Sequence, residues 1–326
     1  MKLEVNWNMF NTNHNTGFAI ALAWPETYCK QAGSWYEFIT VALGINRNNY
    51  YKAGHAAMVL VDGINKTCHY FDFGRYHTPF QHGRVRSALT DHELAMTTIP
   101  KLSPDGNSLE NYHDILNELQ NNPACHGQGK LHASYSKIDF RKAFAKATHM
   151  QRISPIPYGP FRYKGSNCSR FVNTSLLAGN PGWIKSFRLK YMVPLTPMPL
   201  NNVNSFENKI VIEKQLKTEN FCPLQKLDNN LLKSTLPQPT RHESIPQNAQ
   251  WLSGEGAGSW FSIAQKDGAY FIKRQSPDGS IECSGLFKVI NSGSFTLNEP
   301  FHFDYPSYCN QVTIRQHQKI VHLIKV

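Results

Sequence analysis

The chain has no CxxC pair and no HExxH motif, so it offers no spaced ligand set for zinc, and neither a metal nor a cofactor is expected. Cys68-His69 and Cys125-His126 are too isolated to count as ligand pairs. No apolar stretch approaches a membrane span; the most apolar early segment, residues 17–24, is far too short. Residues 1–15 are polar and Asn-rich, without the basic segment and apolar run of a secretory leader. Basic residues are scattered, with no run of five or more like charges and no aromatic-basic repeat, so specific nucleic-acid readout is not expected. Residues 254–259 are glycine-rich but lack the Lys-Ser/Thr of a phosphate loop, and they read as a flexible turn. The seven cysteines are odd in number and dispersed, which points to reduced thiols in a cytoplasm and away from a disulfide framework.

What is present describes a globular protein. Hydrophobic residues at 40% and aromatics at 12% supply a core, and 326 residues suffice for one large domain or two ordinary ones. The formal net charge of +11 suits an acidic partner, and suits plain solubility equally well. Oligomeric state leaves no trace in the sequence.

Residues 17–23 read as a strand, 25–33 as a turn or short helix, and 35–43 as a helix. The apolar run 55–61 and the aromatic-rich run 67–73 flank Asp62-Gly63-Ile64-Asn65-Lys66, a hairpin signal. Residues 113–119 and 138–148 are helical in pattern, and the proline-rich 155–160 is a stiff loop. After Tyr191 a proline-bearing, Asn- and Lys-rich connector runs to about residue 250, and from Trp251 the pattern is short strands and turns. The expected division is an α+β domain over 1–195, a connector with partial structure over 196–250, and a smaller β-rich domain over 251–326. The β-rich domain is expected to fold separately and leave the chemistry to the first.

Chemistry concentrates on one cysteine. From Cys168, the residues Phe171, Val172, Ser175 and Leu176 follow at the spacing of one helix face, with Ser166 or Asn167 as N-cap and Gly179 as stop. A thiol in the first turn of a helix feels the positive end of the macrodipole, which favours thiolate. A small buried packing thiol is the plainer alternative. His55, after Gly54, opens the apolar strand and is the candidate base. Such a pair needs a third polar group to hold the imidazole, and His69 and Asp72 compete for that role. With a loop over 62–65, His55 falls opposite Asp72; in the longer register, Val61 faces Cys68 and Asp72 becomes a diagonal neighbour. Opposed and diagonal residues lie roughly 5 to 8 Å apart, so both registers keep Asp72 in reach. Placing His69 across from His55 would leave no loop. A strand-end carboxylate held by Arg75 or by a turn amide is the alternative reading of Asp72.

The order His, acid, Cys is the reverse of papain and resembles the circularly permuted NlpC/P60 group. The segments Leu22-Ala23-Trp24-Pro25-Glu26-Thr27, Gly54-His55-Ala56-Ala57, Phe71-Asp72-Phe73-Gly74-Arg75-Tyr76, Gly83-Arg84-Val85-Arg86-Ser87 and Asn167-Cys168-Ser169-Arg170-Phe171-Val172 also look like an uncharacterised Bacteroidetes-type bacterial family of DUF6695 type. That resemblance covers most of residues 17–180. The permuted group implies an antiparallel papain-like sheet with packed helices and thioester chemistry on peptidoglycan, other amides or lipids. Carried over by residue, His55 is the base, Cys168 the nucleophile and Asp72 the orienting group. Residues 76–161 stand out as a long insertion between the halves of the site.

Arg75, Arg84, Arg86 and Lys164 flank His55 and Cys168 and are candidates for binding a substrate carboxylate or phosphate, against local salt bridges to Asp91 and Glu93. Trp24, Trp35 and Tyr36 are candidates for a groove floor or for core, and Asn167 adjoins the nucleophile. The resulting expectation is a cysteine peptidase or amidase acting on a peptide or other amide, an acidic one if the net charge is a guide. The rivals are an acyltransferase on the same fold and a non-catalytic binding module with a vestigial site.

Overall fold

The computed structural model describes residues 16–31, 46–159, 161–194, 198–213, 228–290 and 295–326. The helix expected over 35–43, with Trp35 and Tyr36, lies outside these residues. In chain order the first strands are β1 (Gly17–Trp24), β2 (Cys29–Lys30), β3 (Asn46–Arg47), β4 (Tyr50–Tyr51), β5 (His55–Asp62), β6 (Thr67–Gly74) and β7 (His82–Arg86). Then come α1 (Tyr112–Asn121), β8 (Leu131–Ile138), α2 (Phe140–Arg152), β9 (Ile156–Pro157), α3 (Cys168–Ala178), α4 (Trp183–Tyr191), α5 (Pro199–Asn204) and β10 (Glu207–Ile212). After α6 (Asn229–Leu232) the chain is all strand: β11 (Gln250–Leu252), β12 (Ser259–Lys266), β13 (Ala269–Gln275), β14 (Ile281–Val289), β15 (His302–Tyr308), β16 (Gln311–Gln316) and β17 (Lys319–Lys325).

The first sheet has the order β10-β8-β1-β5-β6-β7-β9, and every pairing in it is antiparallel. All residues of β1 and β5 are buried because helices cover both faces. Ala19, Ala21, Met58 and Leu60 face α2, α3 and α5 through Phe140, Phe171 and Val203, while Phe18, Ile20, Val59 and Val61 face α1 through Ile115 and Leu116. Burying each large apolar side chain contributes roughly 1.5–3 kcal/mol, which is why a strand enclosed on both sides reads as a continuous apolar run.

Two expectations about chain organisation are corrected. The stretch 76–161 is no insertion: its strand β8 pairs with β1 along nearly its whole length and α2 covers one face of the sheet. Residue 195 does not end the first unit either. β10 lies beyond it and extends the first sheet by pairing with β8, so part of the expected connector belongs to that sheet.

The second sheet runs β11-β12-β13-β14-β17-β16-β15 and curls around one core built on Phe261, Ile272, Phe287, Val312, Ile314 and Leu323. Its edge strands nearly close on each other: Gln250 of β11 accepts from Phe303 N–H and donates to Phe301 O. Cys283 and Cys309 form a disulfide there, against the expectation of reduced thiols throughout. The two lie 26 residues apart on neighbouring parts of a curled sheet, and an odd, dispersed cysteine count cannot reveal such a pair. Among the described residues no helix is long and apolar enough to cross a membrane.

Candidate active site

The site is built at one end of the first sheet. β1 and β5 pair with Trp24 opposite His55, and the indole stacks on the imidazole at 5.9 Å between centroids. Trp24 Nε1 donates to Gln120 Oε1 at 2.7 Å, which fixes the indole. Gly54 enters β5 at φ +74°, where an added Cβ would come within 3.0 Å of Pro25 Cα, so glycine is the residue that fits this turn.

The β5–β6 register places Val61 opposite Cys68 and Ala57 opposite Asp72. This is the longer of the two candidate registers, and Asp72 is the diagonal neighbour of His55. His55 Nε2 lies 3.3 Å from Asp72 Oδ2. His69 packs instead against Phe140 and Phe144.

Asp72 is fully buried and receives Arg86 Nε at 2.9 Å and Tyr70 Oη–H at 3.1 Å, besides Arg86 Nη2 and His55. Burial by itself would raise its pKa; the Arg86 charge, with hydrogen bonds from His55 and Arg86, reverses this and holds the carboxyl well below the usual carboxylate range.

Cys168 is the first residue of α3. Asn167 caps the helix, its side chain accepting Arg170 N–H at 2.8 Å. The Cys168 sulfur lies 3.9 Å from Ser169 Oγ, and Cys168 lines the same cleft as the His55 ring. Burial would raise the thiol; the hydrogen bond and charge of His55 outweigh it and bring the thiol below its ordinary value. Burial opposes protonation of His55, yet the hydrogen bond to Asp72, seconded by Cys168, raises it to about 9. Cys29, Cys68 and Cys125 are pushed up to about 12, each chiefly by burial. Among the described free thiols with a resolved shift, Cys168 alone is lowered, the direction that favours thiolate.

A cleft of about 300 Å³ opens over Cys168 and His55, walled by Tyr158, Arg75, Gln128 and Glu255. Glu255 comes from the second sheet's side of the molecule. Its Oε2 lies 2.6 Å from Arg75 Nη1 and its Oε1 accepts Gln81 N–H at 2.7 Å. The loop 253–258 that carries it docks through Gly256 N–H to Arg75 O and His77 N–H to Ala257 O. At Gly254 a Cβ would lie 2.5 Å from His77 N, so the glycines permit backbone contact. The expected flexible turn is therefore a docked wall of the cleft.

The remaining candidates are placed differently from one another. Arg75 lines the cleft, stacked 4.9 Å over Tyr158, but its charge is met by Glu255. Arg84 is buried against Asp91, and Arg86 is buried against Asp72 and under Tyr76, so neither is available to a substrate anion. Lys164 is exposed beside Tyr163 and is not among the cleft residues. Trp24 is 1% exposed and supports the imidazole from behind, which removes it as a groove floor. Sequence reasoning missed Arg86 as the partner of Asp72, and it missed Glu255, Tyr158 and His126, which stacks on Tyr76 at 4.8 Å beside the cleft. The Arg86 partnership was accessible in principle, since the β6–β7 pairing sets Asp72 opposite Arg86.

Residues 19–182, which span His55, Asp72 and Cys168, match the family described as type VI secretion system effector TseH-like. The chain belongs to the TseH-like effector family. Residues 249–326 match the C-terminal domain of the DUF6695 family, so that resemblance, expected over 17–180, falls on the second sheet. No curated protein and no solved structure matches the chain.

Proposed function

We propose that this TseH-like chain is a cysteine-dependent amide or peptide hydrolase of permuted papain-like, NlpC/P60-related type. The observation that carries the reading is the meeting of Cys168 and His55 in one cleft, with His55 Nε2 3.3 Å from Asp72 and Asp72 held ionised by Arg86. The Cys168 thiolate attacks the amide carbonyl carbon. A backbone N–H at the α3 N-terminus stabilises the developing oxyanion. The His55 imidazolium gives its proton to the departing amine nitrogen as the C–N bond breaks, leaving a thioester. Neutral His55 then takes a proton from water, whose oxygen attacks the thioester carbonyl, and the thiolate leaves with the acid product. Asp72 holds the ring throughout.

The substrate in this reading is a peptide or other amide seated between Tyr158 and Gln128. As a member of a secretion-effector family, the chain is made in a cytoplasm and works after export, so the cytoplasmic expectation applies to its synthesis. The β-rich region 251–326 acts as a separate unit that completes the cleft through Glu255.

Limiting iodoacetamide followed by peptide mapping tests the reading. Cys168 is expected to alkylate well ahead of Cys29, Cys68 and Cys125 at near-neutral pH. Uniform labelling, as expected of a vestigial binding module, would overturn the proposal.

A further inference from the structure

Helix α4 leaves its apolar side in solvent. Trp183, Phe187 and Tyr191 follow at i, i+4 and i+8 and are 81%, 53% and 64% exposed, with Ile184 and Met192 beside them. Leu189 is the buried residue of this helix. The rings of Phe187 and Tyr191 lie 5.1 Å apart, so the stripe is continuous. Asn173 Nδ2 of α3 donates to Leu189 O at 3.0 Å, which ties the last turn of α4 to the helix that carries Cys168. The loop before Cys168 also exposes Phe161 and Tyr163.

Charge decides what such a face fits. Residues 161–193 contain Arg162, Lys164, Arg170, Lys185, Arg188 and Lys190 and no Asp or Glu. Among the described residues, the acid paired with a cation of the ridge is Glu207, 3.5 Å from Lys185. Exposed Trp, Tyr and Phe interleaved with cations are the composition of helices that lie in a lipid headgroup layer, where an amphipathic ring has one apolar and one wet side. Pooled, the chain's own segments outside the described residues carry Lys2, Lys214, Lys217 and Lys226 against Glu4, Glu37 and Glu219, a slightly positive balance that matches this basic face poorly.

We propose that α4 lies on an anionic lipid bilayer. Trp183, Phe187 and Tyr191 enter the headgroup–acyl boundary and Arg188 and Lys190 meet the lipid phosphates. The proposal stands apart from the catalytic reading and does not depend on it.

The test is co-sedimentation of the full chain with vesicles of phosphatidylcholine, with and without phosphatidylglycerol. Binding is expected only to the anionic vesicles and is expected to fall as salt rises. Replacing Trp183→Ser together with Phe187→Ser is expected to lower the partition constant about tenfold or more, since two large apolar side chains leave the lipid. Both are exposed, so the urea midpoint should hold. Lys319→Ser, an equal loss of charge on the second sheet, should leave binding unchanged. Binding that ignores the double substitution, or that Lys319→Ser reduces as much as Lys190→Ser does, would overturn the proposal. So would absence of binding with Trp183 shielded from acrylamide in the free chain, which would mean that a segment of this chain covers the ridge.

Discussion

The two seven-stranded sheets have equal strand numbers and opposite ways of burying them. In the first, β1 and β5 are enclosed on both faces, and successive residues feed two different cores. In the second, the sheet curls around a single core, and strands such as β14 and β17 keep alternate residues partly or fully exposed. A sheet covered on both faces leaves only its ends for chemistry. At such an end a buried carboxylate, a histidine and a helix terminus can be held in a largely dry setting. A curled sheet with one core spends its interior on packing and presents loops. Here the second sheet contributes the loop 253–258 and an arginine, Arg274, that reaches Asp91 at 3.0 Å across the junction. The first sheet carries His55 and Asp72 beneath the helix that bears Cys168, and the second adds Glu255 to the cleft wall.

The largest expected effect falls on the first sheet. Cys168→Ala and His55→Ala are each expected to reduce amide turnover by roughly a thousandfold or more, because nucleophile and base act as a unit. Retained turnover in either variant would put the chemistry elsewhere.

Two buried arginines sharpen the contrast next. Arg86→Met leaves Asp72 without its main partner, and Arg274→Met leaves Asp91 and Glu282 short of theirs. Removing one member of a buried ion pair costs about 3–5 kcal/mol, so both variants should unfold at lower urea. Only Arg86→Met should also slow alkylation of Cys168, through a less firmly held His55. Equal slowing in both would show that the regions are not separable in role.

A smaller effect is expected at the cleft wall. Glu255→Gln removes the charge that meets Arg75 and loosens the docked loop. A hydrogen bond between charged groups contributes about 1.5–3 kcal/mol, so KM should rise about tenfold or more with kcat little changed. A fall in kcat at constant KM would instead give Glu255 a part in the chemistry.

The pH response is the mildest test. Turnover should rise as the lowered Cys168 thiol ionises and fall near about pH 9 as His55 loses the proton the leaving amine needs. Alkylation needs only thiolate and should keep its rate through the upper limb. Stability follows the same groups. His55 has a raised pKa in the folded protein, so its contribution is full below the ordinary histidine value and is lost as pH rises through about 9. Asp72 has a lowered pKa, so its contribution is present above the ordinary carboxylate range and is lost as pH falls through its depressed value. A urea midpoint flat from neutral to alkaline pH would contradict the His55 half.

Much of this was written locally in the sequence. The apolar runs of β1 and β5, the Asp-Gly turn between β5 and β6, and the Asn-capped helix after Cys168 follow from side-chain period, turn chemistry and capping, which act over a few residues. The need for a loop also set His69 aside as the partner of His55, since pairing the two directly would leave no residues for the turn. What the sequence left open was partnership between distant segments. That Arg86 serves Asp72 while Arg84 serves Asp91 depends on how β7 pairs with β6 and on what then covers it. That Trp24 backs the imidazole depends on the β1–β5 register. That β8 completes the first sheet, that Cys283 meets Cys309, and that Glu255 closes a cleft 180 residues from Arg75 were decided by tertiary structure alone. Burial forces each isolated charge and polar group to find a partner, and the compact fold, rather than neighbourhood in the chain, sets which partners are within reach.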